Sequence, residues 1–416
     1  MNRRRFLAAA PAVAGMLGGC AGGLSLEQGL FNECRRPGGH RVLRDRLVRA
    51  AWDGIDATKA WDCHVHLFGN GRGEPGIYLN PAFDRPATLA ARVRRAFFLN
   101  AACAGEDEES LDAAVVRRIE HLADELPPGA KVMLLAFDHA HDADGRRRDD
   151  LSTFAVSDAY AARVARRRPD RFEWVASIHP YRRDATAALA SAAGSGARAV
   201  KWLPQAMGID LAHPQSLAFY AALRRAGMPL LVHVGEEQAV EGAGRHELGN
   251  PLSLRHALDA GVRVVAAHCA SLGESPDLDA EADPAKAPRA RNLDLFARLM
   301  REPRYRALLH GDLSAVTQAN RAAAVPEILA ADDWHGRLLN GSDYPLPAVM
   351  PVFSVRGFAR AGLLDEAAVP VLEELRHVNP LAFDFTLKRS LAWRGRRLPP
   401  GAFETRPFFE AGGGAA

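Results

Sequence analysis

Three polar side chains interrupt an apolar run near the start of the 416-residue chain, in the segment AWDCHVHLF. Asp62, His64 and His66 are spaced two apart, so in a β-strand their side chains would share one face. Two neutral imidazoles on one face can bind a borderline metal ion such as Zn²⁺. A His-x-His pair alone arises often by chance, so it indicates a metal site only with support from elsewhere in the chain.

Three further ionisable residues end apolar runs in the same way. His233 ends LLVH, His268 ends VVAAH, and Asp343 follows LLNGS. A polar group at such a position costs free energy unless it has a partner. Any one histidine could be satisfied by the backbone in a core, but the recurrence on several strands predicts a shared site.

Eight apolar runs could position these residues, and most are followed by helical segments such as SDAYAARVARRRP and SLAFYAALRRAG. Near-continuous apolar strands that alternate with helices predict a parallel sheet, and eight strands close a β/α barrel. We therefore predict a distorted (β/α)8 TIM-like barrel with long βα loops. An open, doubly wound sheet is the alternative, but GNGRG after the first run lacks the spacing of a phosphate loop. The runs span residues 60–68, 131–138, 172–179, 197–204, 229–235, 263–269, 306–314 and 337–343.

The chain divides into four predicted parts: a signal peptide (1–20), a tether and lead-in (21–57), the barrel (58–390) and a C-terminal extension (391–416). The start, MNRRRFLAAAPAVAGMLGGC, has a basic head and a short apolar stretch. It resembles a twin-arginine export signal that ends in a lipobox, with Cys20 as the lipidated residue. We expect an exported protein at the periplasmic face of the envelope, held to the membrane only through this lipid.

Charge and cysteine content exclude other classes. The chain has 53 Lys and Arg against 50 Asp and Glu, and three of the arginines lie in the signal segment. The balanced remainder gives no electrostatic case for nucleic-acid binding. The wide spacing of Cys34, Cys63, Cys103 and Cys269 predicts neither a disulfide framework nor a CxxC metal site, with Cys63 and Cys269 as core residues.

The motifs together resemble the amidohydrolase superfamily, in particular the amidohydrolase-related branch that includes dicarboxylate lactonases and metal-dependent decarboxylases. The resemblance covers roughly residues 58 to 390. DCHVHLF matches the strand-1 motif, His233 and His268 match the histidines of strands 5 and 6, and GSDYP matches the aspartate of strand 8. The family has a distorted β/α barrel, which agrees with the strand count.

The resemblance implies roles for these residues. His64, His66 and His233 would hold a divalent metal ion, with Asp343 as a further ligand and as the group that moves the proton of the attacking water. His268 would bind a second ion or polarise the substrate carbonyl. Lys201 matches a strand-4 lysine that is carboxylated and bridges two metals in binuclear members; alternatively it binds a substrate carboxylate or pairs with an acid. One or two ions are expected, zinc first among them, although Mn, Fe and Ni suit the same ligands.

The expected function is metal-dependent hydrolysis of a small amide, lactone or ester by an activated water. Non-oxidative decarboxylation of an unsaturated or aromatic acid is the alternative on the same site, and a tethered, non-catalytic binding lipoprotein is the third. His179 and Asp138, at the ends of the third and second runs, are predicted to line the substrate pocket. The partner is a small-molecule substrate, and the sequence does not determine the oligomeric state.

Overall fold

The computed structural model describes residues 25–35, 38–104, 110–240 and 242–411. Eight parallel strands occupy the eight predicted apolar runs. The strands are β1 Trp61–His66, β3 Lys131–Leu135, β5 Phe172–Val175, β6 Val200–Trp202, β7 Leu230–Val232, β8 Val264–Ala266, β11 Leu309–Asp312 and β12 Leu338–Leu339; the shorter strands between them are described below. They form a three-stranded sheet in the order β1-β3-β5 and a five-stranded sheet in the order β6-β7-β8-β11-β12.

Backbone hydrogen bonds join the two sheets at both edges. Just past β5, Ala176 donates its N–H to Ala199 O (2.9 Å) and accepts from Lys201 N (2.7 Å). At the other edge Cys63 N donates to Asn340 O (3.1 Å), and a further bridge lies between Val65 and Tyr344. The eight strands therefore close into one barrel, and the predicted (β/α)8 class is confirmed.

Fifteen α-helices occur in the described part of the chain. The segments SDAYAARVARR and SLAFYAALRR form helices, as their sequences predict. Gly227 lies two residues past the second helix and has φ of 62°, the left-handed conformation that often ends a helix. The helices are α1 Arg46–Ala50, α2 Pro81–Asp84, α3 Leu89–Ala101, α4 Leu111–Asp124, α5 Asp158–Arg167, α6 Ala185–Gly194, α7 Pro204–Met207, α8 Pro214–Arg225, α9 Arg255–Asp259, α10 Asn292–Arg301, α11 Val325–Ala330, α12 Val355–Arg360, α13 Val369–Val378, α14 Pro380–Ser390 and α15 Arg406–Glu410.

The strands separate an inner from an outer apolar cluster. The inner cluster fills the barrel with side chains from most of its strands, while the alternate residues pack outward against the helices. The end of α15 closes the barrel opposite the predicted site, because Phe409 belongs to the inner cluster and Thr405 Oγ1 donates to Trp61 O. Members of the inner cluster include Trp61, Cys63, Met133, Leu135, Val175, Ala199, Leu231, Val265, Ala267 and Leu339.

Two long βα connections carry short strands of their own. After β1, strand β2 (Ile77–Leu79) pairs antiparallel with β4 (Phe154–Val156), so the first connection is fixed above the carboxyl end of the barrel. After β8, strands β9 (Glu274–Pro276) and β10 (Arg289–Arg291) form an antiparallel pair.

Strand β1 contains a register shift that the alternation argument did not foresee. Asp62 pairs with Val132 and Val65 with Leu134, so three steps along β1 match two along β3. Such an extra residue is a β-bulge, which changes the face that each following side chain takes. Cys63, predicted to face away from the histidines, belongs instead to the inner cluster.

Asp62 consequently does not share the inward face with the two histidines, and that prediction is wrong. Its carboxylate borders a crevice toward Leu381 and Phe385 of α14. It accepts hydrogen bonds from the backbone N–H groups of His64 (3.1 Å) and Ser342 (2.8 Å). Asp62 thus ties β1 to the segment after β12 from outside the barrel.

The cysteine prediction is half right. Cys63 and Cys269 are free and buried, as expected. Cys34 and Cys103, however, form a disulfide with their Cα atoms 5.5 Å apart. They are 69 residues apart in sequence, so spacing alone gave no sign that the fold brings the N-terminal lead-in against the end of α3.

The predicted signal peptide and Cys20 lie outside the described residues. Among the residues that are described, we find no helix with the length and apolar character needed to span a bilayer.

Candidate metal centre

The carboxyl ends of the barrel strands bring the predicted residues to one cavity. In parallel strands these ends share one rim, so residues far apart in sequence meet there. His64 and His66 come from β1, Lys201 from β6, and the others follow β7, β8 and β12. The cavity is lined by His64, His66, Lys201, His233, His268 and Asp343.

Three of these side chains converge closely enough to hold one ion. Asp343 Oδ1 lies 3.1 Å from His66 Nε2 and 3.4 Å from His64 Nε2. Their ligand atoms all lie within 4.8 Å of one another. Tetrahedral zinc with bonds of about 2.1 Å would separate its ligand atoms by roughly 3.4 Å. The spacing and the donor types of His64, His66 and Asp343 therefore fit a divalent ion such as zinc.

A buried carboxylate orients the first histidine. Asp312 Oδ2 lies 2.5 Å from His64 Nδ1, and both side chains are shielded from solvent. Ser314 donates its backbone N–H to Asp312 Oδ1 (2.6 Å) and its hydroxyl to Oδ2 (2.6 Å). A carboxylate at Nδ1 places the ring proton there and leaves Nε2 as a lone pair for a metal. Burial lowers the pKa of His64, which keeps the ring neutral as a ligand must be.

Asp343 sits in a constrained turn and stays ionised. Its φ is 60°, and its backbone N–H donates to His64 O (2.8 Å), which locks the turn against β1. Burial opposes ionisation, but the neighbouring imidazoles of His64 and His268 and the hydrogen bond from His66 hold the pKa of Asp343 well below its usual range. The carboxylate can therefore act as a ligand or as a proton acceptor.

His268 approaches the same carboxylate from β8. Its Nε2 lies 3.8 Å from Asp343 Oδ2, and its Nδ1 lies 2.9 Å from Ser314 O. A carbonyl at Nδ1 accepts the ring proton, so Nε2 faces the cavity as an acceptor or ligand. His268, Cys269 and Ala270 all have positive φ, between 50° and 56°, which turns the chain sharply at the end of the strand.

Lys201 occupies the floor of the cavity. Its Nζ lies 3.3 Å from His64 Nε2, and the side chain is buried. Burial lowers the pKa of this amine despite the nearby carboxylates of Asp343 and Asp312. The position suits both readings of the sequence, since a carbamate or an ammonium there would reach the same ligand atoms.

His233 lines the cavity, but its Nε2 faces another partner. It lies 3.2 Å from Glu237 Oε2, while Glu237 Oε1 accepts the backbone N–H groups of Ala239 (2.5 Å) and Val240 (2.8 Å). Among the described residues, His233 is not in either group of close potential ligands. The structure thus brings His233 to the cavity but not into the group of His64, His66 and Asp343, and its role as a ligand stays a prediction.

The two predicted pocket residues do not line this cavity. Asp138 accepts hydrogen bonds from His179 N (2.9 Å) and Arg182 Nη1 (2.9 Å). His179 is buried, with Nε2 3.1 Å from Met207 O and Nδ1 accepting from Tyr181 N. Burial lowers the pKa of His179 to about 3. Both side chains fix the loops beside the barrel, and their assignment to the pocket is corrected.

Sequence reasoning missed several contributors. Asp312 is the last residue of β11, and Asp343 likewise follows β12. The pattern of an ionisable residue at the end of an apolar run could therefore have identified Asp312 as well. Glu237 lies four residues after the predicted ligand His233, but a solvated loop explained it equally well from the sequence. Arg321 could not have been found, because it reaches Glu236 O (3.4 Å) and Ser271 Oγ (3.4 Å) only through the tertiary fold.

Comparison with known proteins gives distant structural likenesses only. No family model matches the chain, and no curated protein matches it. Similar solved structures include an Acinetobacter baumannii protein described as a probable 2-pyrone-4,6-dicarboxylic acid hydrolase (14% identity, 78% of this chain and 97% of that chain, TM-score 0.42). Others are 5-carboxyvanillate decarboxylase from Sphingomonas paucimobilis (11%, 76% and 98%, 0.41) and an amidohydrolase from Burkholderia multivorans (14%, 76% and 97%, 0.41).

These names include a hydrolase, a decarboxylase and an amidohydrolase. Every TM-score quoted is below 0.5, so the fold rests on the strand pairing and the site on its own geometry.

Proposed function

We propose that this protein is a metal-dependent hydrolase of a small carbonyl compound: an amide, a lactone or an ester. The observation that carries the proposal is the convergence of His64 Nε2 and His66 Nε2 on Asp343 Oδ1, at 3.4 Å and 3.1 Å, at the rim of the barrel. A divalent ion held there supplies Lewis acidity, which polarises a carbonyl and lowers the pKa of water from about 15.7 toward 7.

The chain's own residues supply the remaining chemistry. Asp343 is ionised, so its carboxylate can accept the proton of the attacking water and pass it to the leaving group. Asp312 holds His64 in the tautomer that leaves Nε2 free. His268 Nε2 lies 3.8 Å from Asp343 Oδ2, and its lone pair can hold a second ion. Polarising the substrate carbonyl would instead require this ring to carry a second proton.

Decarboxylation is the second candidate, and Lys201 is the observation that favours it. A lysine that keeps its ammonium on the cavity floor, 3.3 Å from His64 Nε2, would pair with a substrate carboxylate. A carbamate at the same position would favour two ions and hydrolysis. Metal stoichiometry at full occupancy separates these states of Lys201, and CO₂ release from a carboxylated substrate separates the two reactions.

The proposal is tested with the mature protein and two histidine variants. His66→Ala should lower metal occupancy and reduce turnover of an ester, lactone or amide panel by at least about 1,000-fold, since catalysis by the ion is lost. His256→Ala, at an exposed position on α9, is the matched control and should retain both. Full activity in a correctly folded His66→Ala protein would refute the assigned centre.

Export and lipid anchoring are proposed as well. They rest on the signal-like start and find support in the Cys34–Cys103 disulfide, because structural disulfides persist in oxidising compartments. Cys20→Ala should release the protein from the membrane fraction without changing the barrel. Unchanged membrane association of that variant would count against the anchor.

A further inference from the structure

The cavity above the candidate centre has a wall unlike its floor. The floor carries the ionisable residues, whereas twelve apolar side chains form most of the wall. They come from the loop after β1, from β2, α2, α3, α4 and β4, and from later loops. The twelve are Phe68, Leu79, Phe83, Phe98, Leu99, Leu111, Phe154, Leu203, Ala239, Val240, Pro345 and Leu346.

Four phenylalanines dominate this apolar wall. Phe68, Phe83, Phe98 and Phe154 are each partly exposed, as side chains that face a cavity must be. The rings of Phe68 and Phe98 lie 6.4 Å apart at 68°, so they present an edge and a face. Aromatic rings prefer such edge-to-face or offset partners, and they gain more from them than from burial alone.

Two side-chain oxygens of the wall accept hydrogen bonds from the protein backbone. Asn70 Oδ1 accepts the backbone N–H of Arg72 (3.3 Å) and of Leu111 (3.2 Å). Thr153 Oγ1 accepts the backbone N–H of Gly242 (3.0 Å). These oxygens therefore fix the loops of the wall instead of recognising a ligand.

The only cation of the wall, among the lining residues that the structure describes, lies beside an acid that it shares with a second arginine. Arg95 Nη2 lies 3.8 Å from Asp84 Oδ1, and Asp84 Oδ2 also accepts from Arg72 Nη2 (3.1 Å). Asp84 lines the cavity beside Arg95. An anionic group on the remote part of a substrate would meet apolar rings, and it would compete with Asp84 for Arg95.

We infer that the substrate is a carbonyl compound whose remote part is an uncharged aryl group, and that Asp84 helps exclude ring carboxylates. This substrate class rests on the proposed function, because the carbonyl must lie at the His64–His66–Asp343 end of the cavity. The aryl ring would then pack against the Phe68–Phe98 pair on its cavity side.

Three hydroxamates test the inference by binding, without a known substrate. A hydroxamate group ligates a protein-bound metal ion, so acetohydroxamate, benzohydroxamate and 4-carboxybenzohydroxamate differ only in the part that meets the wall. Titration calorimetry on the metal-loaded protein should show the phenyl ring tightening Kd by about 10- to 100-fold over the methyl group, as burial of one ring predicts. The ring carboxylate should weaken Kd again by at least about fivefold.

Variants assign the effect to the wall. Phe98→Leu keeps an apolar side chain and should lose most of the phenyl gain while leaving acetohydroxamate unchanged, and Phe98→Ala should lose more. Phe408→Ala, at the closed end of the barrel, is the matched control and should keep the gain. Asp84→Asn frees Arg95 and should tighten the carboxylated probe by up to about fivefold, the range of an exposed ion pair, with no change for benzohydroxamate.

The outcomes separate the two proposals. If acetohydroxamate binds but the phenyl ring adds nothing, or if the carboxylated probe binds tighter than benzohydroxamate, the substrate class is overturned and the metal centre stands. If the protein takes up no divalent metal, or if none of the hydroxamates binds to the metal-loaded protein, a centre open to this cavity is overturned, and the substrate class with it.

Discussion

Asp312→Asn is the sharpest test of how the centre is built. The carboxylate is buried and accepts three hydrogen bonds, from His64 Nδ1, Ser314 N and Ser314 Oγ. An amide has one oxygen and one NH₂ group. Whichever way it turns, its NH₂ faces either the backbone N–H of Ser314 or the Nδ1 proton of His64, so one donor loses its acceptor.

The magnitude follows from the role of this contact. Removing the outer partner of a metal-binding histidine weakens metal binding by about 10- to 100-fold, which corresponds to about 1.4–2.7 kcal/mol. The short distance of 2.5 Å and the full burial of Asp312 place the expectation toward the upper end of that range. Asparagine has nearly the same volume as aspartate and the same backbone freedom, so the substitution changes only the hydrogen bonds and the charge.

The assay is competition for zinc against a chromophoric chelator at constant pH, with thermal unfolding of the metal-free protein as a check on the fold. Asp62→Asn is the matched control. Like Asp312, Asp62 is a carboxylate that accepts hydrogen bonds next to β1, but its side chain lies outside the barrel. Its zinc Kd should change by less than about threefold, a value small against the range above. A zinc Kd for Asp312→Asn within twofold of the parent would refute the reasoning.

Three other predictions concern stability. Lys388→Met removes the ammonium that lies 2.5 Å from the buried carboxylate of Asp384. The free energy of unfolding, measured with urea at pH 8, should fall by about 3–5 kcal/mol, and a loss below about 1 kcal/mol would contradict this. Burial raises the pKa of Asp158 to about 7, so this carboxyl lowers the free energy of unfolding as pH rises from about 4 to about 7. Asp158→Asn should therefore reduce the loss of unfolding free energy between pH 5 and pH 8 by about 1–3 kcal/mol. An unchanged dependence of the unfolding free energy on pH would argue against this. Replacing Cys34 and Cys103 together by Ser should lower the free energy of unfolding by about 2–4 kcal/mol, and equal stability under oxidising conditions would count against a structural disulfide.

The barrel was predictable because its signal is local. Each buried parallel strand needs a short apolar run, and each helix needs its own periodicity and stop residue, so eight runs and their helices could be counted without any contact. The structure places all eight strands inside those runs. Much of the site was predictable for the same reason: parallel strands end on one rim, so His64, His66 and Asp343 had to be neighbours once the barrel closed.

The predictions that were wrong depend either on one extra residue in a strand or on contacts between segments far apart in the chain. One extra residue in β1 turned Asp62 out of the barrel, and alternation along a strand cannot reveal where a bulge falls. Asp138 and His179 follow strands as the ligands do, but their side chains pair with backbone and Arg182 beside the barrel.

The sequence by itself determined the strand count, the helices between the strands and the ionisable residues at the strand ends, because these depend on neighbouring residues and on a fixed repeat. Only the tertiary structure decided that Asp312 orients His64, that Glu237 engages His233, and that Cys34 meets Cys103. Such contacts are set by distances of a few ångströms between segments far apart in the chain. Those distances follow from how the whole barrel packs, and no short stretch of sequence encodes them.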